Sequence, residues 1–582
     1  MSAANLFARE VEESPDFERI QALPRRKVTL AKGEAAAELL TPMLATKEGL
    51  RRGVRLRPWQ ALALLELAEI GRLLFGGSTG IGKSLVLFLA PHMVDVHKPL
   101  IALPGNLVDD TYTKFGAYAR DWKVPKPRPA QLISFEALQS DDNWNFLKRF
   151  DPDMLLIEEA HKLRNPDRAV CKRIDRFQRA KKGPLWVVPV SGSPINVSLF
   201  DLAHFLTWSH QNHSPIPKNK AEREMWAAAV DLNEPRRGQR PGVGVLVDLV
   251  PRLKPRPTRI GTARKAIMQR LLLTPGIVIA DDTECDAPLD VVFEVAPDDP
   301  KLDVVFKDWR LKFKMPDGQI AGDLFSQLRW EDELSSGFFQ KWDPAPPEEW
   351  REACGAKNDF VRYWVKKSAE AARPLDTEGA VLRAHKTHPV VQEWLKIKPD
   401  FIPKTVPTWL SSSVVDRAAR YIRKHNGLVV VRSPLVGRAI ARAAGVNYYG
   451  SKGLDASGRY IEREKKGRGA VMSLKANAEG RNLQYLWHDM LWVSVPRNAL
   501  ELEQGISRIH RYGQTEACKV RILCTSSVTY TNWEIAQERA EWAQEMAPHI
   551  NKILTVDPRP PIYRSQAYRW GNMALDRKEN AA

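Results

Sequence analysis

Cysteine is scarce in this chain. Five residues, Cys171, Cys285, Cys354, Cys518 and Cys524, are scattered through 582 positions without paired metal-ligand spacing. That excludes a disulfide framework or a zinc finger as the organising device and fits a reducing compartment. Long apolar runs are absent as well. None approaches the roughly 20 residues that span a bilayer, so no membrane association is expected. Residues Met1 to Glu13 are polar and acidic, without a signal-peptide apolar stretch, which predicts a cytoplasmic protein, or a nuclear one in a eukaryote. Internal repeats and low-complexity tracts are missing. Acidic charge is in deficit: 70 Asp and Glu against 88 Lys and Arg leave a net charge of +18. An excess of that size on a large chain predicts a polyanionic partner, nucleic acid first. The basic residues cluster at Pro24-Arg25-Arg26-Lys27, Arg236-Arg237, Arg252 to Arg259 and Arg463 to Arg468.

What is present is a phosphate loop. Gly77-Ser78-Thr79-Gly80-Ile81-Gly82-Lys83-Ser84 follows the apolar run Leu73 to Phe75 and precedes the apolar stretch Leu85 to Ala90. The context is strand, glycine-rich turn, helix. Glycines let main-chain N–H groups approach a phosphate tail, Lys83 reaches the β- and γ-phosphates, and the Ser84 hydroxyl holds Mg²⁺. The partner such a loop needs is found at Asp153-Met154-Leu155-Leu156-Ile157-Glu158-Glu159-Ala160-His161. Four apolar residues predict a buried strand, and two carboxylates emerge at its carboxyl end, where open parallel sheets bind ligands. Glu158 is expected to hold Mg²⁺ and Glu159 to orient the attacking water.

Two stretches carry the alternating strand–helix texture of α/β domains. The first has strand candidates at Leu73–Phe75, Leu100–Leu103, Gln131–Ser134, Met154–Ile157 and Trp186–Val190. The second has them at Leu428–Val431, Ala470–Leu474, Met490–Ser494 and Val520–Cys524. Near-continuous apolar runs of this kind suit parallel strands covered on both faces. The predicted organisation is an N-terminal segment (1–55), a first α/β lobe (56–206), a helical and linker insertion (207–413), a second lobe (414–556) and a polar C-terminal tail (557–582). Within the insertion, Phe360, Trp364 and Lys367 would share one face of a helix. That basic-aromatic face reads either as a nucleic-acid contact or as a small helical core.

Further motifs give these lobes a family likeness. Glu158-Glu159-Ala160-His161-Lys162-Leu163-Arg164-Asn165 resembles the acidic box of superfamily 2 helicases, in particular the Swi/Snf-type ATPases. Leu56-Arg57-Pro58-Trp59-Gln60 resembles the family's L-R-P-Y-Q, Ser134-Phe135-Glu136 a DNA-contacting element, and Ser191-Gly192-Ser193-Pro194 the motif that links the ATP site to DNA. In the second half, Ala476 to Gln484 resembles the A-G-G-x-G-x-N-L element, and Gln504 to Gln514 the Q-A-x-x-R-x-H-R-x-G-Q element. The resemblance implies two RecA-like parallel-sheet lobes in tandem, with mainly helical insertions between them. It implies ATP and Mg²⁺ as cofactors, adenine recognition by Gln60, a nucleotide contact at Gly480, and Arg508 and Arg511 facing the γ-phosphate. His161 and His510 would couple motifs structurally.

The chain departs from the family pattern at three points. Glu158 stands where Asp is usual, Asn477-Ala478 replaces a glycine pair, and Arg481 replaces an apolar residue. The activity implied is ATP-driven translocation on double-stranded DNA by a monomeric core, with strand separation or branch migration on the same core as the alternative. A nucleic-acid-binding scaffold with a decayed ATPase is a further reading, motivated by Glu158 and Asn477. A phosphate-loop kinase or GTPase predicts no second lobe bearing an arginine motif. The lack of appended chromatin-reading modules suggests a phage or bacterial setting in repair, recombination or genome processing.

Overall fold

The computed structural model describes residues 10–26, 30–77, 81–126, 129–192, 198–232, 240–280, 285–296, 299–312, 315–316, 324–368, 375–477, 481–546 and 552–555. The chain divides into two compact units. The first comprises 1–283 and 539–551, the second 284–538 and 552–582. The protein is α/β, with one six-stranded parallel sheet in each unit.

The first sheet contains β1 (Leu74–Gly77), β2 (Pro99–Leu103), β3 (Gln131–Ser134), β4 (Met154–Ile157), β5 (Trp186–Ser191) and β6 (Ile277–Ala280), in the spatial order β3-β2-β4-β5-β1-β6. Every pairing is parallel. The short strands carry apolar side chains at consecutive positions because both faces are buried. Leu155 and Ile157 enter one core, with Leu74, Leu100 and Ile277. Met154 and Leu156 enter the other, with Phe75, Ile101 and Val278. This is the two-residue alternation of a strand read from both sides.

The segment before Leu56, which carries no sequence motif, folds into this unit. Phe17 and Ile20, from helix Pro15–Ala22, join the first core. Ala37, Leu40 and Leu44, from helix Leu30–Leu44, join the second. The junction is polar and buried. Arg26 pairs with Glu66 at 2.5 Å and donates to the Ile277 carbonyl at 2.7 Å, while Gly276 N–H donates to Glu66 at 2.7 Å. Arg26 is therefore 7% exposed and contributes nothing to the surface charge expected of residues 24–27. An acid buried in helix Pro58–Ile70 needs a cation, and Arg26 supplies it. Residues 539–551 return to the same unit. Trp542 and Met546 are buried in the first core, and Trp542 Nε1 donates to the Val230 carbonyl at 2.9 Å.

The second unit runs through β7 (Leu289–Val295), β8 (Phe338–Trp342), β9 (Thr405–Trp409), β10 (Leu428–Val431), β11 (Tyr448–Tyr449), β12 (Ala470–Ser473), β13 (Asp489–Trp492) and β14 (Cys518–Cys524). Its sheet has the order β11-β12-β10-β13-β14-β7, all parallel. The antiparallel pair β8-β9 and the helices Glu348–Lys367, Glu378–Ala384 and Pro389–Ile397 form the insert. The C-terminal tail expected over 557–582 lies outside the described residues, as do Arg236 and Arg237. The basic positions Arg252, Lys254, Arg256 and Arg259, and Arg463, Lys465, Lys466 and Arg468, are exposed. Among the described residues no helix is long and apolar enough to cross a membrane.

Candidate nucleotide-binding site

All six strands of the first sheet are parallel, so the loops leaving β1, β4 and β5 share one edge. Gly77 closes β1 and Lys83 opens the helix Lys83–Leu89. Ser78, Thr79 and Gly80 lie outside the described residues. Gly82, the residue before the helix, has φ +78°, which glycine adopts without the penalty a Cβ brings. Space also demands glycine there, because a Cβ would lie 2.2 Å from Gln60 Nε2.

Gln60 explains the close approach. It sits in the first turn of helix Pro58–Ile70, is 4% exposed, and has both ends of its amide engaged. Oε1 accepts from Arg57 N–H at 3.0 Å, and Nε2 donates to the carbonyl of Ile81 at 2.9 Å. In this arrangement Gln60 braces the loop. An adenine contact through the same amide would exchange one of these bonds for a base edge.

The two segments predicted to meet do so. Ser84 Oγ donates to Glu158 Oε1 at 3.1 Å, across 74 positions of sequence. Lys83 Nζ donates to the Gly77 carbonyl at 3.1 Å. Gly192, just beyond β5, borders the same space, since a Cβ there would lie 3.4 Å from Lys83 Nζ. Glu159 has φ +50°, a left-handed backbone that is uncommon outside glycine and accumulates at functional turns. Its Oε2 lies 3.2 Å from His161 Nδ1, and the same ring nitrogen lies 3.2 Å from Ser191 Oγ at the end of β5. His161 thus ties the β4 turn to β5, as a coupler would. The Glu159 carboxylate is buried beside that ring.

Adjacent carboxyls here have opposite proton affinities. Burial, reinforced by the neighbouring Glu159 charge, pushes Glu158 up to about 7, against the pull of Lys114, Ser84 and Lys83. Burial would raise Glu159 too, but its contact with His161 and the charges of His161, Lys83 and Lys162 hold it well below the usual carboxylate range. One carboxylate is fixed as an anion and acceptor at neutral pH. The other sits at the point where a cation would decide its ionisation.

This donor set fits magnesium. A hydroxyl and one carboxylate are the sparse protein contribution typical of a Mg²⁺ that takes its remaining ligands from phosphate and water. Among the described residues no three His, Cys, Asp or Glu side chains converge as a self-sufficient metal site.

Helix Val108–Asp121 adds two groups that motif reading missed. Thr111 Oγ1 lies 3.5 Å from Glu158 Oε2, and the Lys114 charge acts on Glu158. Only their spacing of three on one helix face could have pointed to them. Ser134 caps helix Phe135–Gln139, accepting from Ala137 N–H at 2.9 Å, and Glu136 accepts from Gly105 N–H at 2.9 Å. Ser193 and Pro194 lie outside the described residues, and so do Ala478, Glu479 and Gly480.

The arginine motif belongs to the second unit. Arg508 is 2% exposed, and its guanidinium donates to the main-chain carbonyls of Gln504 and Arg481, both at 3.0 Å. Arg511 is half-buried and donates to the same Arg481 carbonyl at 3.1 Å. Arg481 itself pairs with Glu462 at 3.1 Å and lies over the Tyr460 ring, so the departure from an apolar residue has a local use. His510 Nε2 bonds the Ala287 carbonyl at 2.8 Å. Lys552 was not anticipated: it donates to Ser507 Oγ at 2.7 Å and to the His510 carbonyl, and its N–H bonds Glu503. No protein-family model and no curated protein matches the chain, so the motifs and their geometry carry the functional argument.

Proposed function

We propose that the chain is an ATP hydrolase built on two RecA-like units, a double-stranded DNA translocase of Swi/Snf type. The observation that carries this reading is the contact between Ser84 and Glu158. It joins the phosphate loop to the acidic strand end, with Lys83 and Glu159 beside it.

Lys83 would neutralise the β- and γ-phosphates, exchanging its bond to the Gly77 carbonyl for phosphate oxygens. Ser84 and Glu158 would hold Mg²⁺, whose charge offsets that of the triphosphate. Glu159, held ionised, would accept from the attacking water and orient it. Gln60, held between Arg57 and Ile81, would fix the loop's entry to the nucleotide. Arg511 is the more accessible of the two motif arginines. Arg508 would hold the motif's own main chain.

The net charge of +18 and the exposed basic runs at 252–259 and 463–468 support a phosphate-backbone partner read without regard to sequence. The test is ATP turnover by wild type and Lys83→Ala with duplex, single-stranded, forked and RNA substrates at fixed salt, alongside a strand-displacement assay. Duplex-stimulated turnover that Lys83→Ala abolishes is expected. Equal turnover by the two proteins would refute the site, and stimulation by RNA alone would refute the DNA assignment. Strand displacement would replace translocation with strand separation.

A further inference from the structure

The helical insert of the second unit builds a core of its own. Trp350 packs edge-on against Trp394 at 5.6 Å and Phe401 at 5.2 Å. Val381 and Val391 are fully buried. The charged side chain taken inside is paired, with Lys357 Nζ 3.0 Å from Glu378.

A second aromatic group lies apart from that core, at the last two turns of helix Glu348–Lys367. Trp364 stacks on His385 with centroids 4.0 Å apart and planes 31° from parallel, and Phe360 meets His388 at 4.3 Å. These contacts fix the helix end against the turn that follows helix Glu378–Ala384. Beyond them stands Tyr363, 55% exposed, its ring 5.5 Å from Trp364. Lys367 Nζ sits over both rings, 5.3 Å from Tyr363 and 4.7 Å from Trp364.

Cations outnumber acids around this platform. Residues 360–368 and 379–390 contain Arg362, Lys366, Lys367, Arg383 and Lys386 and no acid. The flanking acids Asp359 and Glu378 are paired, with Arg362 and Lys357 respectively, each at 3.0 Å.

An exposed aromatic face among cations, held rigid from behind by stacked rings, is the arrangement that takes an unpaired base on the ring and its phosphate on the lysines. A duplex hides its base faces and has no use for the exposed tyrosine. We propose that Tyr363, with Lys366, Lys367 and Lys386, forms a binding site for single-stranded nucleic acid, distinct from the nucleotide site and from any duplex contact.

The test needs no ATP, so its outcome is independent of the hydrolase reading. Fluorescence anisotropy of the full chain would follow a single strand of about 20 thymidines and a blunt duplex of equal length, at one stated salt concentration. Tyr363→Ala is expected to weaken single-strand binding about tenfold while changing duplex affinity by less than about twofold, since the stacking partner of one base is lost. Tyr363→Trp should retain binding. Circular dichroism should show the same melting for all three proteins. An RNA oligomer of the same length identifies the preferred sugar, and a preference for either strand type supports the site. Single-strand affinity unchanged in Tyr363→Ala, an equal loss on duplex, or no single-strand binding by the wild type would overturn it.

Discussion

The two sheets share strand count and direction, yet their carboxyl edges are filled differently. In the first unit the edge is lined by Gly77, Gly82 and Gly192, with Lys83, Ser84, Glu158 and Glu159 directed into it. In the second unit protein occupies the equivalent edge. Helix Leu324–Ser335 delivers Glu331 and Asp332 to arginines that follow the strand ends, Asp332 to Arg432 after β10 and Glu331 to Arg497 beyond β13. Thr525, next after β14, donates to the Ser335 carbonyl at 3.2 Å. Each open parallel sheet produces a polar edge. Whether that edge becomes a ligand site depends on whether the chain leaves it to glycine or fills it with carboxylates of its own.

Removing the charge from the first edge should have the largest effect. Lys83→Ala is expected to lower ATP turnover by two orders of magnitude or more, roughly 3 kcal/mol of transition-state stabilisation, with melting unchanged. Turnover assays and circular dichroism on the same preparation would check both halves. If the second edge is structural, Arg497→Ala should instead appear as lost stability. It removes the Arg497 partner of Glu331, which is 2% exposed, at a cost of about 3 kcal/mol, read by denaturant unfolding. Unchanged stability would mean that this edge, too, is open to ligands.

Acid should separate the units. Burial keeps His204 down at about 4 and His210 at about 3, and both lie in the first unit. Their folded values are depressed, so the unfolded chain binds protons first as pH falls below about 6.5. Stability is fully present above that value and is lost on acidification towards the folded values, by about 2 kcal/mol per histidine between pH 6.5 and 5. Hydrogen exchange resolved by segment should show protection in residues 198–280 falling over this window. His210→Gln should flatten the profile. The smallest effect is expected of Arg432→Ala. Its pair with Asp332 is more than a third exposed on the arginine side, and the loss should stay within about 1 kcal/mol.

The sheets were legible in the sequence where a strand is an isolated apolar run bounded by polar or turn-forming residues. Met154–Ile157 and Leu428–Val431 are read to the residue. The outer strands β6, β7 and β11 were not. Ile277–Ala280 is a four-residue run inside a stretch of linker-like composition, and only its pairing with β1 makes it a strand. Leu289–Val295 is mostly exposed or half-buried and carries two acids, as an edge strand can, and only β14 gives it a partner. At the site, the meeting of Ser84 with Glu158 followed from motif chemistry. The use of Gln60 as a brace did not, because a glutamine's partner is a matter of packing and has no sequence period. Burial of Arg508 was hidden for the same reason: the motif names the residue, while the Gln504 and Arg481 carbonyls decide what its guanidinium does.

The return of residues 539–551 to the first unit makes that unit a natural split protein. A single protease cut anywhere between 284 and 538 would leave it as two polypeptides, the shorter carrying Trp542 and Met546. A fragment ending at residue 283 would lack both side chains and expose the apolar socket they fill. It should therefore be rescued by a peptide spanning 539–551 supplied in trans, much as a ligand stabilises the receptor it completes.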